Sequence, residues 1–367
     1  MYSQNDLDEA VAAGALSAEA AAALRNYVDS QRASPAVDEE NFRLITGFND
    51  IFVAIASAIL MFAVGWIGQS IGQSLGLVID YNGPSPIAPL FVAATAWGLA
   101  LFFTAKRRMA LPSILLLLAF VGAVFATIGF ALVIPMGEPP EGQEALYGGA
   151  IASIAGAVAA GAAWLHWKRF RVPITVAAGA AAVAAIAVGL LIAALGDPES
   201  YQNLLWGFVL MLGIGVFLFA MRWDSSDPAR LTRRSDVAFW LHILAAPMIV
   251  HPVFTLLGLN DGTATVGEGL VVIALYVGLG LTALAIDRRA LLVSALAYVL
   301  IALSELFKQV GAVELNIALT ALVIGSALLL LSAYWHQARS MVVRALPVPL
   351  QAKLPHLGRA ISPARAA

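Results

Sequence analysis

The chain contains no cysteine, which excludes disulfides, thiolate nucleophiles and Cys-ligated zinc or iron–sulfur sites. Charge is scarce as well. Asp, Glu, Lys and Arg make up 12% of the 367 residues and hydrophobic residues 60%, whereas ordinary soluble domains are roughly a quarter charged. One water-soluble core cannot take up that much apolar surface, but a bilayer can, because lipid solvates the outward faces of helices. Enzymatic signatures are missing too: there is no phosphate loop, no Ser-x-x-Lys, no His-Glu-x-x-His and no intramembrane Asp/His cluster. An enzyme is therefore not the expectation, and nothing in the sequence asks for a cofactor or a metal ion. The basic residues are dispersed, which gives no support to nucleic-acid binding.

What the chain does have is a series of apolar runs of about 20 residues, the length a helix needs to cross a bilayer. Spans are expected near 48–68, 86–105, 111–135, 145–165, 173–195, 203–221, 237–259, 267–286, 290–307 and 314–335. The connections alternate in character. Lys106-Arg107-Arg108, Lys168 to Arg171, Arg222 to Arg234, Arg288-Arg289 and the C-terminal tail are basic. The intervening ones carry Glu138, Glu141 and Glu144, then Asp197 and Glu199, then Asn260-Asp261-Gly262. In a ten-span layout 20 of the 21 Lys and Arg fall on one side, and Lys308 alone falls on the other. Basic residues stay cytoplasmic because moving them against the membrane potential is unfavourable. The expected object is an all-α, polytopic bundle of about ten transmembrane helices in a bacterial inner membrane, with both termini cytoplasmic.

Three regions follow from this layout. Residues 1–46 are expected to form a soluble cytoplasmic helical hairpin and an acidic linker, 47–336 the transmembrane domain and 337–367 a basic cytoplasmic tail. In the hairpin, Gly14 is a natural left-handed helix stop, and Ser17 offers its hydroxyl as an N-cap to an alanine-rich helix. The first 40 residues hold no apolar core segment and are acidic, unlike a signal peptide.

Three places could carry function. Gly68, Gly72 and Gly76 recur every fourth residue and share one helix face, with Gln69 and Gln73 beside them. Such a face suits close helix packing or, less simply, a polar lining. The seventh span holds Asp236, His242, Pro247, His251 and Pro252. Ionisable groups inside a membrane normally face the bundle interior or a wet cavity, and prolines mark bends. His242 and His251 are nine residues apart, which in a straight helix points them to opposite sides, about 13 Å apart in height. The ninth span places Ser294, Tyr298 and Glu305 nearly on one line, with Lys308 a turn beyond. His242, His251, Asp236, Glu305 and Tyr298 are thus the candidate pathway or solute-contacting residues.

Two stretches resemble known sequences. Leu7-Asp8-Glu9-Ala10-Val11-Ala12-Ala13-Gly14-Ala15-Leu16-Ser17-Ala18-Glu19 is similar to the cytoplasmic module that opens a family of bacterial predicted membrane proteins of unknown function. Phe239-Trp240-Leu241-His242 through Pro247 to His251-Pro252 also looks like proteobacterial members of such families. The resemblance covers about 40 residues and implies a bacterial inner-membrane protein without supplying site residues. Two functional readings stand. One is a small-solute transporter or permease working through the seventh and ninth spans. The other is a non-transporting scaffold or sensor that recruits a cytoplasmic protein through residues 1–40.

Overall fold

The computed structural model describes residues 10–24, 48–80, 83–227, 232–258, 266–309, 315–351 and 354. The chain divides into two units, Met1–Leu44 and Ile45–Ala367. In the first, residues 18–24 are helical, the Ser17 hydroxyl accepts from the Ala20 N–H at 3.1 Å, and Gly14 has φ of 70°. These are the local cap and stop that the residue types suggest.

All regular structure in the described residues of the second unit is helical. Its helices are α1 (Phe48–Ser74), α2 (Ile87–Phe103), α3 (Ala110–Met136), α4 (Glu144–Phe170), α5 (Ile174–Leu195), α6 (Gln202–Ser225), α7 (Arg233–Leu256), α8 (Val266–Ile286), α9 (Ala290–Gln309), α10 (Asn316–Ala333), α11 (Trp335–Ala345) and the single turn α12 (Val348–Gln351). Seven of them, α1 and α3 through α8, are each long and apolar enough to cross a membrane. An eighth is added if α10 and α11, bent by 77° at their junction, are taken as one broken span. Among the described residues the chain is therefore all-helical, with several helices long and apolar enough to cross a membrane. A count of seven or eight, rather than ten, is what length and apolarity establish; α2, with 17 residues, is a shorter apolar helix.

Large apolar side chains point outward along these helices: Phe62, Trp66, Val293 and Leu329 are all about 70% exposed, as lipid-facing positions should be. Buried positions are mostly small. Ala96, Ala155, Ala238, Ala245 and Ala295 are fully enclosed, so the helices approach closely without a thick layer of side chains between them. The most enclosed of the seven is α7, which packs against α5, α6 and α9.

Side-chain contacts gather the basic connections at one end. Leu116 at the start of α3 and Phe103 at the end of α2 share a cluster with Phe170 at the end of α4. Trp167, Ala177, Trp223 and Val237 join the α4–α5 and α6–α7 connections. Asp224 meets Arg288 between α8 and α9, and Asp287 meets Trp335 at the start of α11.

Three helix boundaries differ from expectation. Helix α1 continues past residue 68 to Ser74, because Gly72 lets it lie against Ser85. Helix α7 starts at Arg233, where the Thr232 side chain accepts from the Arg234 N–H at 3.2 Å. The region read as a basic tail begins with a real element, since α11 turns away from α10 and buries Trp335 and Arg339.

Candidate functional site

Trp206, Gly213, Phe217 and Asp224 follow one another on α6 at intervals of seven, four and seven residues. At 100° per residue these four lie on one face, and that face meets α7. At the basic end the Asp224 carboxylate is buried and holds Arg288 in a two-point grip. Arg288 Nη2 donates to Oδ1 at 2.6 Å and Nε donates to Oδ2 at 3.3 Å. Nη2 also donates to the Ser235 carbonyl at 3.1 Å. His242 Nε2 lies 3.4 Å from Oδ2 of the same carboxylate, and its ring stands edge-on to Phe217 with centroids 5.2 Å apart. His242, Asp224 and Arg288 are each at most 3% exposed. A bidentate guanidinium–carboxylate pair is among the stronger hydrogen-bonded contacts, and its burial makes each partner costly to remove alone.

The connection that carries Arg288 owes its shape to Asp287. The Arg288 N–H returns to the Ala283 carbonyl at 2.9 Å and the Asp287 N–H to the Leu284 carbonyl at 3.3 Å. This double closure needs a left-handed residue between helix and turn. Asp287 supplies it with φ of 57°, aspartate being one of the few side chains that tolerate this region. Its carboxylate then accepts from Trp335 Nε1 at 2.7 Å and stands 3.6 Å from Arg339 Nε. One short turn therefore joins the α6–α7 pair to α11.

Midway along the seam Gly213 lies against Met248: a Cβ there would come within 2.8 Å of the Met248 backbone. Pro252 lacks the N–H that would bond the Met248 carbonyl within the helix, and Pro247 does the same to Ile243. Toward the other end, His251 Nδ1 shares a hydrogen bond with the Tyr298 hydroxyl of α9. The His251 ring stands edge-on to Trp206 at 4.7 Å, while Tyr298 stacks on Phe254 at 4.3 Å. The Thr255 hydroxyl donates to the His251 carbonyl at 2.9 Å.

The expected geometry of the two histidines needs correction. A straight helix would point them opposite ways, yet both rings touch α6, His242 through Phe217 and His251 through Trp206. Pro247 between them and Pro252 beside them interrupt the regular hydrogen-bond ladder. They remain about 13 Å apart in height and face separate surroundings rather than one space. Asp236 lies in the first turn of α7, half-buried and within the field of Arg288. Glu305 and Lys308 belong to α9 by their backbone, and their side chains lie outside the described residues, as does that of Ser294. The structure thus joins His251 with Tyr298, and keeps His242 apart from both.

In the glycine series, a Cβ on Gly68 would come within 2.8 Å of the Ile87 carbonyl, and one on Gly72 would overlap the Ser85 side chain. Gln69 closes the same contact, donating to the Gly83 carbonyl at 2.8 Å and accepting from the Ser85 N–H at 2.9 Å. Gly76 has a different task. Past the end of α1, with φ of 68° and open space around it, it closes the helix through Leu77 N–H to the Gly72 carbonyl at 2.8 Å.

Several participants were invisible in the sequence as site residues. Asp224 sat in a segment read only for its arginines, and Arg288 and Asp287 in a turn read only for topology. His166 is also fully buried, with Nδ1 3.3 Å from the Thr175 hydroxyl and Trp97, Phe120 and Phe170 around its ring. Among the described residues no group of three or more His, Asp or Glu is placed to hold a metal ion. No family model matches the chain, and neither the curated proteins nor the solved structures contain one that it matches.

Proposed function

We propose that this protein is a ten-span small-solute transporter or permease of a bacterial inner membrane, with both termini in the cytoplasm. The α6–α7–α9 seam is its working part. The observation that carries the reading is the placement of two histidines on one proline-interrupted helix, one against a buried Asp224–Arg288 pair and the other bonded to Tyr298. Ionisable groups inside a membrane are costly, and they mark ion and substrate pathways. On this reading Asp224, His242 and Arg288 close the cytoplasmic end of the pathway. Loosening of the grip on Arg288 would release that end. His251 and Tyr298 offer a polar contact to the solute further out. Ten crossings agree with the gathering of the basic connections at one end, with α2 packed on α1 and α3, and α9 on α7 and α8.

The absence of native cysteine allows a direct test. A single cysteine replaces Met248 in an otherwise unchanged chain, in oriented membrane vesicles, and a membrane-impermeant thiol reagent is applied from each side in turn. An alternating pathway gives labelling from both sides. A site that never labels from either side removes the transport reading.

A second reading rests on the separate N-terminal unit, Met1–Leu44, with its eight acidic and three basic residues. There the protein is a scaffold or sensor that recruits a cytoplasmic partner. Deletion of residues 1–40 then abolishes function, whereas His251→Ala leaves it intact; a transporter gives the reverse pattern.

A further inference from the structure

We propose that α11 is an interfacial helix, lying along the phospholipid surface at the basic end with Met341 among acyl chains and Arg344 at anionic headgroups. Its direction is the first argument. Helix α10 is apolar and ends at Ala333, and α11 leaves it at 77°. With α10 along the bilayer normal, the eleven residues of α11 run about 16 Å and climb only about 4 Å, less than the depth of a headgroup layer. The chain then stays at this level. The Gln351 side chain donates to the Leu346 carbonyl at 2.7 Å, and Leu354 packs back against the cluster that holds Trp335.

The second argument is how residue types are distributed around α11. Trp335, Arg339 and Val343 are buried and face the protein. Trp335 Nε1 donates to Asp287, and Arg339 Nε stands 3.6 Å from the same carboxylate. Going round the helix from this face at 100° per residue, one side carries Val342, Ala338, Ala345, Tyr334 and Met341. The other carries His336, Ser340, Arg344 and Gln337. A helix held on the protein by one face thus presents an apolar edge and a polar edge in opposite directions, which suits the boundary between hydrocarbon and water. On the apolar edge Tyr334 is 59% exposed and Met341 67%. The Tyr334 N–H still bonds the Leu330 carbonyl at 2.9 Å, so this edge continues the exposed apolar surface of Leu329 and Leu330 on α10. That continuity assigns its cover to the same lipid rather than to a soluble partner. Helix α11 has no acidic residue, and the exposed Arg344 stands on its polar edge, where anionic headgroups attract basic side chains. The inference needs α10 to cross the bilayer; it needs no solute and no pathway.

The test uses the full-length protein in phospholipid vesicles, with Met341→Cys or Gln337→Cys as the single cysteine and the fluorophore NBD attached to it. Phosphatidylcholine brominated on its acyl chains should quench the label at 341 about threefold more than the label at 337, and aqueous iodide should give the reverse order. Brominated phosphatidylglycerol, at the same share of the lipid, should quench position 341 about twofold more than brominated phosphatidylcholine, and Arg344→Gln should remove that difference. Ala345→Cys, on the same edge, carries the same expectation as Met341→Cys should that variant not fold. A label at 341 as open to iodide as the one at 337 places α11 in water and overturns the proposal. A label shielded from both iodide and brominated lipid places this edge under protein and overturns it as well. Equal quenching by the two brominated lipids, or a preference unchanged by Arg344→Gln, overturns the assignment of anionic headgroups to Arg344.

Discussion

Between α4 and α5 the contact is made of the smallest residues. A Cβ on Gly149 would come within 2.4 Å of the Gly189 carbonyl, and one on Gly156 within 3.1 Å of the Ala182 carbonyl. Its polar contacts are Ser153, whose hydroxyl donates to the Gly149 carbonyl at 2.8 Å and reaches the Ile186 carbonyl at 3.2 Å, and the Thr175 hydroxyl, 3.3 Å from His166 Nδ1. The α6–α7 contact has a single such glycine, Gly213, and fills the rest of its length with Asp224, His242, Phe217, Trp206 and His251. Lipid gives helices no hydrophobic reason to associate, so a close fit is one solution. Satisfying buried polar groups is the other. Most of the first contact is set by volume. The second is held by a buried carboxylate–guanidinium pair.

The difference can be broken from either side. Arg288→Ala leaves Asp224 buried without its guanidinium and is expected to cost about 3–5 kcal/mol of stability, read as the loss of midpoint in denaturant unfolding of the detergent-solubilised protein. The double change Asp224→Asn with Arg288→Met should recover most of that loss, because no unpaired charge remains. A single variant no weaker than a surface substitution would show that charge does not hold this seam. In the other pair the sensitive quantity is volume. Gly149→Val should cost about 1–3 kcal/mol, while Gly161→Val on the same helix, with nothing within 4 Å of its Cβ, should leave the unfolding midpoint where it is.

Smaller effects sharpen the comparison. Ser153→Ala and Tyr298→Phe each remove one hydrogen bond between helices, and each is expected to cost about 0.6 kcal/mol. If Tyr298→Phe alters labelling at position 248 while Ser153→Ala does not, only the second contact is tied to the proposed pathway. The smallest effect lies in the connection after α5. The Ser200 hydroxyl donates to Asp197 at 2.6 Å and holds its carboxyl below the usual aspartate range. A depressed folded value means that this contribution is present above the ordinary aspartate value and lost as pH falls through the lower one. Carboxyl chemical shifts should report that lowered midpoint, and Ser200→Ala should move it back up.

Much of this architecture was legible because apolar runs report on one surrounding, the lipid. The helices begin and end within a few residues of the runs in most places, and the basic connections meet at one end as the charge asymmetry suggests. Gly68 and Gly72 were readable as a face because their spacing is local to one helix. The polar seam was not, since Asp224 and Arg288 are 64 residues apart and nothing in either segment encodes the other. The shared partner helix of His242 and His251 was hidden for a related reason: it depends on Phe217 and Trp206 of α6, which reach the two rings from another segment. The small-residue face Gly149, Ser153 and Gly156 carried a signal of the same kind as Gly68 and Gly72 and could have been found by the same spacing.

The separation of Asp224 from Arg288 also orders events during synthesis. The carboxylate at the end of α6 leaves the ribosome 64 residues before its guanidinium, a delay of roughly three to thirteen seconds at ordinary rates of elongation. Helices α1 to α5 can meet through small residues as soon as they are inserted, whereas α6 and α7 must wait for the turn after α8. A chain that stops short of that turn leaves the Asp224 carboxylate without Arg288. The α6–α7 contact is therefore completed only after the turn that follows α8 has been made.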